Sequence, residues 1–260
     1  MEGLDFLIDY LLKEEKRFAG MQIPCDKEEK RRLFRALCNM RMPRPVSGEF
    51  LRRQDEYLQN ELKAKGVVGL SDIELEDTSC SNIKLWQGDI TRLSADAIVN
   101  AANSQLLGCF YPLHACIDNA IHSAAGVQLR NECNDLMNEQ GYPEPTGSAK
   151  ITEAYNLPCR YVIHTVGPII HGNRPTEEEC TLLKNCYLSC LDLALNRNLK
   201  SIAFCCISTG EFHFPNQSAA EIAYTTVRDF VKTRASEMTV VFNVFKDTDF
   251  NIYKQLLNLH

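Results

Sequence analysis

The sequence predicts a layered α/β domain with a mostly parallel sheet, preceded by a helical extension. Three observations predict it. Over residues 1–66 apolar side chains recur at helical spacing. From Val67 onward short strand-like runs alternate with long amphipathic helices, the pattern of strands joined by helical crossovers. The 260 residues, 45% hydrophobic and 24% charged, suffice to bury a substantial core.

The extension, residues 1–66, reads as helices divided by punctuation. Leu4, Leu7, Ile8, Leu11 and Leu12 share one stripe. Asp26, with Glu29 three residues on, resembles a capping box opening a helix that buries Leu33, Phe34, Leu37 and Met40. Pro43 and Pro45 break the chain. Ser47 caps a third helix burying Phe50, Tyr57, Leu58 and Leu62, with Gly66 as its stop. Stripes this short are not stable alone, so the extension is expected to dock on the domain that follows, residues 67–260.

In that domain, strands are expected near Ile83–Gln87, Ala97–Val99, Ala149–Thr152, Tyr161–Thr165, Ile202–Ile207 and Val240–Phe245. Helices are expected at Asp118–Met137, Glu177–Asn196, Ser218–Ala235 and Asp249–Leu257. Ligands of such sheets bind beyond the carboxyl ends of the strands.

A formal charge of −6 argues against nucleic-acid binding through a broadly basic surface. The N-terminus lacks the basic region and small-residue cleavage site of a secretory signal, and no apolar run reaches membrane-spanning length. The 12 cysteines are dispersed, several on apolar faces, and read as reduced thiols of a cytoplasmic protein. Neither nucleic acid nor membrane is an expected partner.

The chemistry concentrates after the strand at Ala97–Val99. Cys109, His114 and Cys116 place thiolate and imidazole donors in one tight loop bent by Pro112, a set that suits Zn²⁺ with one position open. Spacing alone leaves two incidental cysteines and a surface histidine as an equal reading. Cys116, beside a helix N-terminus, is expected to ionise readily. Asp118 either caps that helix or orients a water or hydroxyl beside the metal; His122, one turn on, reads as a packing residue. Asn100 and Asn103, separated only by alanines, suit hydrogen bonding to a polyhydroxy ligand or capping of the loop backbone.

After the strand ending near Ile207, Ser208, Thr209 and Gly210 can turn successive N–H groups toward an anion. No Gly-Lys-Ser/Thr follows, so this is not a Walker loop. Phe212 and Phe214 flank a ligand or plug the core, and His213 is expected to be exposed. Gly147 marks a turn into a strand. Phe250 stacks on a base or packs its helix.

Taken together, these residues resemble the macrodomain family of ADP-ribose-binding modules. The matching pieces are Gly88-Asp89-Ile90, Asn100-Ala-Ala-Asn103, Asp118 to Gly126, Thr146-Gly-Ser-Ala149, His164 to Pro168 and Ile207 to Gly210, in the family's order over about residues 67 to 260. The run of glycines that most hydrolytic members carry before the aspartate is here Cys-Phe-Tyr-Pro-Leu-His-Ala-Cys. That replacement, with the helical extension, resembles the zinc-dependent branch, whose members remove ADP-ribose from proteins.

The resemblance implies a three-layer α/β/α domain with a mixed, mostly parallel central sheet. It implies one Zn²⁺ per chain on Cys109, His114 and Cys116. Asp89, with Ile90 beside it, would meet the adenine amino group, and Asn103 the distal ribose. Ser208, Thr209, Gly210, Glu211 and Phe212 would wrap the diphosphate. Asp118 matches an aspartate often given a catalytic role, and Glu211 and His213 depart from the commoner apolar residue and glycine. The expected substrate is an ADP-ribosylated protein and the product ADP-ribose, with functional association with a sirtuin-type ADP-ribosyltransferase. With zinc open at one position to a ribose hydroxyl or water, Asn103 and Asp118 would fix the sugar and assist proton transfer. The alternatives are a reader that binds ADP-ribosyl groups around a structural zinc, and a hydrolase of acetylated ADP-ribose.

Overall fold

A computed structural model describes residues 3–172 and 174–259; Met1 and Glu2, part of the N-terminal reading, lie outside it, with Asn173 and His260. The extension consists of α1 (Gly3–Glu14), α2 (Lys27–Met40) and α3 (Gly48–Lys65). Its helices begin where the capping residues place them. Asp26 accepts the Glu29 N–H at 2.9 Å and Ser47 Oγ that of Phe50 at 3.1 Å, each satisfying a first-turn donor. Gly66 ends α3 at φ +80°. Leu7, Ile8, Leu11, Phe34, Leu37 and Phe50 form an apolar cluster that takes in Val127 of the following domain. The extension docks there.

The domain's strands are β1 (Val68–Gly69), β2 (Glu76–Asp77), β3 (Cys80–Gln87), β4 (Leu93–Ser94), β5 (Ala97–Ala102), β6 (Ala149–Glu153), β7 (Tyr161–Val166), β8 (Ser201–Phe204) and β9 (Thr239–Val244). A seven-stranded sheet runs in the order β2-β3-β9-β8-β5-β7-β6. The strands from β3 to β7 in that order are parallel, and β2 and β6 pair antiparallel at its edges. Ala97, Ile98 and Val99 of β5 are fully buried, as a central parallel strand covered on both faces requires. Helices α6 (Glu177–Asn196), α7 (Asn216–Arg234) and α8 (Asp247–Leu256) pack as neighbours; α4 (Ile117–Ala125) and α5 (Val127–Gln140) pack together, with α2 against α4.

The expected helix Asp118–Met137 is two helices, broken at Gly126. Gly126 lies at φ +97°, and a Cβ there would sit 2.6 Å from Gln54 Nε2. Gln54, reaching from α3, accepts the Val127 N–H at 3.0 Å through its Oε1. Gly126 thus ends α4 in a conformation that favours glycine, and Gln54 of the docked extension caps the first amide of α5. Strand β8 stops at Phe204, ahead of the expected Ile207, and β5 continues to Ala102, so Asn100 lies inside the strand.

Because β3, β5, β7, β8 and β9 run one way, the segments that follow them leave from a common edge. All 12 cysteines are free. Among the described residues no helix is long and apolar enough to cross a membrane.

Candidate active site

The loop from Asn103 to Cys116 is shaped by its own polar groups. Asn103 Oδ1 accepts the Gln105 N–H at 3.0 Å, and its Nδ2 donates to Gly108 O at 3.3 Å. Leu106 and Leu113 hold positive φ, +56° and +59°. In this shape the donor atoms of Cys109, His114 and Cys116 lie within 4.8 Å of one another, with Cys109 Sγ 3.5 Å from His114 Nδ1. Around a tetrahedral zinc the usual Zn–S and Zn–N lengths give an S···N edge of about 3.5 Å. The donor set fits a metal ion of that kind. His114 Nε2 points away toward Glu211 Oε1 at 3.6 Å.

The expected easy ionisation of Cys116 is not met. The Asn119 N–H does point at its Sγ, at 3.4 Å. Burial nonetheless pushes the thiol up to about 12, overriding that hydrogen bond, and Cys109 and Asp118 add to the rise.

Asp118, in the first turn of α4, is buried at 6% exposure. Burial lifts its carboxyl to about 6 against two opposing influences, the hydrogen bond from Asn100 and the charge of Arg130. Asn100 Nδ2 donates to Asp118 Oδ1 at 2.8 Å and faces His164 Nδ1 at 3.2 Å. With no exposed surface, Asn100 does not meet a ligand as expected. It stands behind Asp118 and fixes it. His122 packs under the loop, so close that a Cβ on Gly108 would fall 2.8 Å from its ring. His122, Cys133 and His164 also bring their donor atoms within 4.8 Å, all buried. There His164 is engaged by Asn100 and, at 3.0 Å, by Thr152 Oγ1, and burial holds the Cys133 thiol far above its usual range. The cluster lies behind the aspartate, with His122 Nε2 3.5 Å from Asp118 Oδ1.

On the segment after β8, Ser208 adopts φ +65° and is buried, its hydroxyl without a partner. Gly167 presses against it: a Cβ there would fall 2.0 Å from Ser208 Oγ. Phe214 N–H donates to Ser208 O at 2.9 Å, and Ile170 N–H to Phe212 O at 2.9 Å, which holds the loop in a tight arc. Among the described residues the N–H groups of Thr209, Gly210, Glu211 and Phe212 find no backbone acceptor. Consecutive free amides of this kind form an anion-binding concavity. Phe214 plugs the core at 1% exposure, while Phe212 is half-buried and His213 exposed.

The expected adenine end is less as predicted. Asp89 Oδ1 accepts from Thr91 N and Oγ1 at 3.1 and 2.6 Å, leaving Oδ2, 3.6 Å from Lys65 Nζ. Ile90 is buried at 1%. Phe250 is half-buried against the core in α8, a packing position; the exposed aromatic on this side is Phe245, at 76%. The sequence reading missed Arg35, Asn39 and Arg130, which brace the Cys109–Cys116 loop and its approach. The available signal was an arginine and an asparagine one turn apart on a helix otherwise read for its apolar stripe.

The fold and the residues gathered at the strand ends define a class, and the comparisons agree with it. A family profile described as Macro domain matches residues 99–223. The chain belongs to the macrodomain family. It is 54% identical over 254 residues to a protein-ADP-ribose hydrolase of Treponema medium, covering 97% of both chains, so most of the helical extension falls inside the match. A protein-ADP-ribose hydrolase of Staphylococcus aureus (strain MRSA252) is 48% identical over 98% of this chain and 95% of its own. Among solved structures, the Trypanosoma brucei macrodomain in complex with ADP-ribose superposes with TM-score 0.66 at 31% identity, over 83% of this chain and 93% of its own.

Proposed function

We propose that this chain is a protein-ADP-ribose hydrolase that removes mono-ADP-ribose from modified side chains, with one zinc ion held by Cys109, His114 and Cys116. The observation that carries the reading is the approach of Glu211 to His114, 3.6 Å apart. It joins the free-amide arc of the diphosphate loop to the metal-ligand loop. A diphosphate seated on the arc thus has its attached sugar beside Asp118 and the three donors. The activity carried by the Treponema medium and Staphylococcus aureus relatives supports the same conclusion.

Each residue then has a physical task. The amides of Thr209 to Phe212 meet phosphate oxygens, supplying binding energy that orients the distal sugar. Asp89 retains Oδ2 for the adenine amino group. Asn103 has used one Nδ2 hydrogen and one Oδ1 lone pair on the loop and keeps one of each for ribose hydroxyls. Asp118, pinned by Asn100, offers its second oxygen to a hydroxyl or water at the anomeric carbon. When bound, the metal supplies Lewis-acid polarisation at the distal ribose.

The test is single-turnover release of ADP-ribose from a mono-ADP-ribosylated protein, run beside metal analysis. The expected result is release by a protein holding one zinc per chain and loss of release when the metal is stripped. Tight ADP-ribose binding without release would make the chain a reader. Full turnover after metal removal would leave zinc no part in the chemistry.

A further inference from the structure

Between Cys109 and Cys116 the loop does little to hold its own shape. Among the described residues the one backbone bond within that stretch runs from His114 N–H to Tyr111 O at 3.3 Å, beside a Cys109 Sγ contact to Tyr111 O at 4.0 Å. The remaining grips come from outside. Leu113, at φ +59°, donates its N–H to Asn39 Oδ1 at 3.0 Å, and Asn39 is buried at 1% in α2. Arg35, one turn earlier, donates from Nη2 to His114 O at 3.4 Å and to Asn119 Oδ1 at 2.7 Å. Asn119 passes the grip on, its Nδ2 donating to Tyr111 O at 3.1 Å. The backbone at Tyr111, Leu113 and His114 is therefore held at each of these points, two of them directly by the extension.

The anchor is itself anchored. Asn39 Nδ2 donates to Ser123 Oγ on α4 at 2.9 Å. Arg130 of α5 donates from Nη1 to the carbonyls of Cys38, Asn39 and Arg41 at 2.8, 2.9 and 2.6 Å, satisfying the open C-terminal end of α2. Its Nε donates to Leu107 O at 2.6 Å, where the loop departs. A residue held at positive φ stores strain that persists only when its surroundings over-determine it. For Leu113 the surrounding group is Asn39.

We propose that the helical extension is a working part of the metal centre, with Asn39 and Arg35 as positioning residues that keep Cys109, His114 and Cys116 in ligand geometry. The inference rests on the metal reading above. A loop ordered before metal arrives does not lose its conformational freedom on binding, and groups that orient ligands without touching the metal set its affinity. The extension then does more than cover Val127. It determines how firmly the ion is held.

The experiment measures zinc transfer from loaded protein to a chromogenic chelator, in the full chain. Asn39→Ala and Arg35→Met are expected to release zinc about 10–100-fold faster than wild type. Asn39→Asp, which keeps an acceptor for the Leu113 N–H, is expected to fall between. Gln54→Ala is the control. It cuts the tie to Val127 and Gln128 on the other side of the extension, so it should lower thermal stability while leaving zinc release unchanged. Wild-type release rates in Asn39→Ala and Arg35→Met overturn the proposal alone. So does equally fast release from Gln54→Ala, since any loosening of the extension would then suffice. A wild-type chain that takes up no zinc overturns the metal reading, and this inference with it.

Discussion

Asp118 combines two properties that seldom meet by accident, burial and a fixed orientation. Asn100, which has no exposed surface, donates to it at 2.8 Å. Asp118→Asn is expected to slow single-turnover ADP-ribose release by about 10²–10⁴-fold, the range of a lost acid–base group, while zinc content stays at wild type. Unchanged turnover would remove Asp118 from the chemistry. The loop at Ser208 depends on a different residue-scale constraint. Gly167 leaves no room for a side chain beside Ser208, since its Cβ would come within 2.0 Å of Ser208 Oγ. Gly167→Ala should displace that loop and weaken ADP-ribose binding by about tenfold or more, or 1.4 kcal/mol. Zinc affinity should change less, since of the three proposed ligands His114 alone faces that loop, through Glu211. Calorimetric titration with ADP-ribose checks the first half and chelator competition the second.

At the scale of elements, α1 is tied to the chain that leaves α2 by a charge cluster. Glu14 bonds Arg41 at 2.7 and 2.9 Å and Arg44 at 3.1 Å. Burial alone would raise its carboxyl, but the hydrogen bonds and charges of Arg41 and then Arg44 outweigh that and hold it below the usual glutamate value. A lowered folded-state pKa contributes stability that is present above the unfolded value and lost as pH falls through the folded one. Acidification below the ordinary carboxylate range should therefore loosen the extension. Glu14→Gln should flatten the acid limb of stability against pH; an unchanged limb would show that the cluster contributes nothing.

For the whole molecule, the question is whether the extension and the sheet domain unfold together. Arg130 and Gln54 both span the boundary, and Val127 shares its apolar cluster with α1, α2 and α3. Trp86, on β3, is the sole tryptophan of the sequence and reports on the sheet, whereas far-UV circular dichroism weights the helices. In urea the two signals are expected to give one coincident transition. A dichroism change preceding the Trp86 change would mean that the extension melts by itself.

The sequence by itself determined much of this protein. Periodicity placed the helices and the parallel strands, capping chemistry located the starts of α2 and α3 at Asp26 and Ser47, and the order of the motifs pointed to the macrodomain family. These signals are local, carried by residues whose partners lie a turn or a strand away. The spacing of Cys109, His114 and Cys116 brought the donors to notice but left metal and accident equally open. Only the tertiary structure decided the rest. It split the helix at Gly126, where the backbone takes a positive φ and Gln54 arrives from α3 to cap Val127. It moved Asn100 from the ligand to the back of Asp118, because β5 runs on through it. Burial reversed the expected ionisation of Cys116. And it brought Arg35 and Asn39, more than 70 positions earlier in the chain, onto the Cys109–Cys116 loop and the helix that follows it. Long-range contacts of this kind leave no period or spacing in a single sequence, because nothing near Leu113 in the chain specifies which distant side chain will meet its N–H.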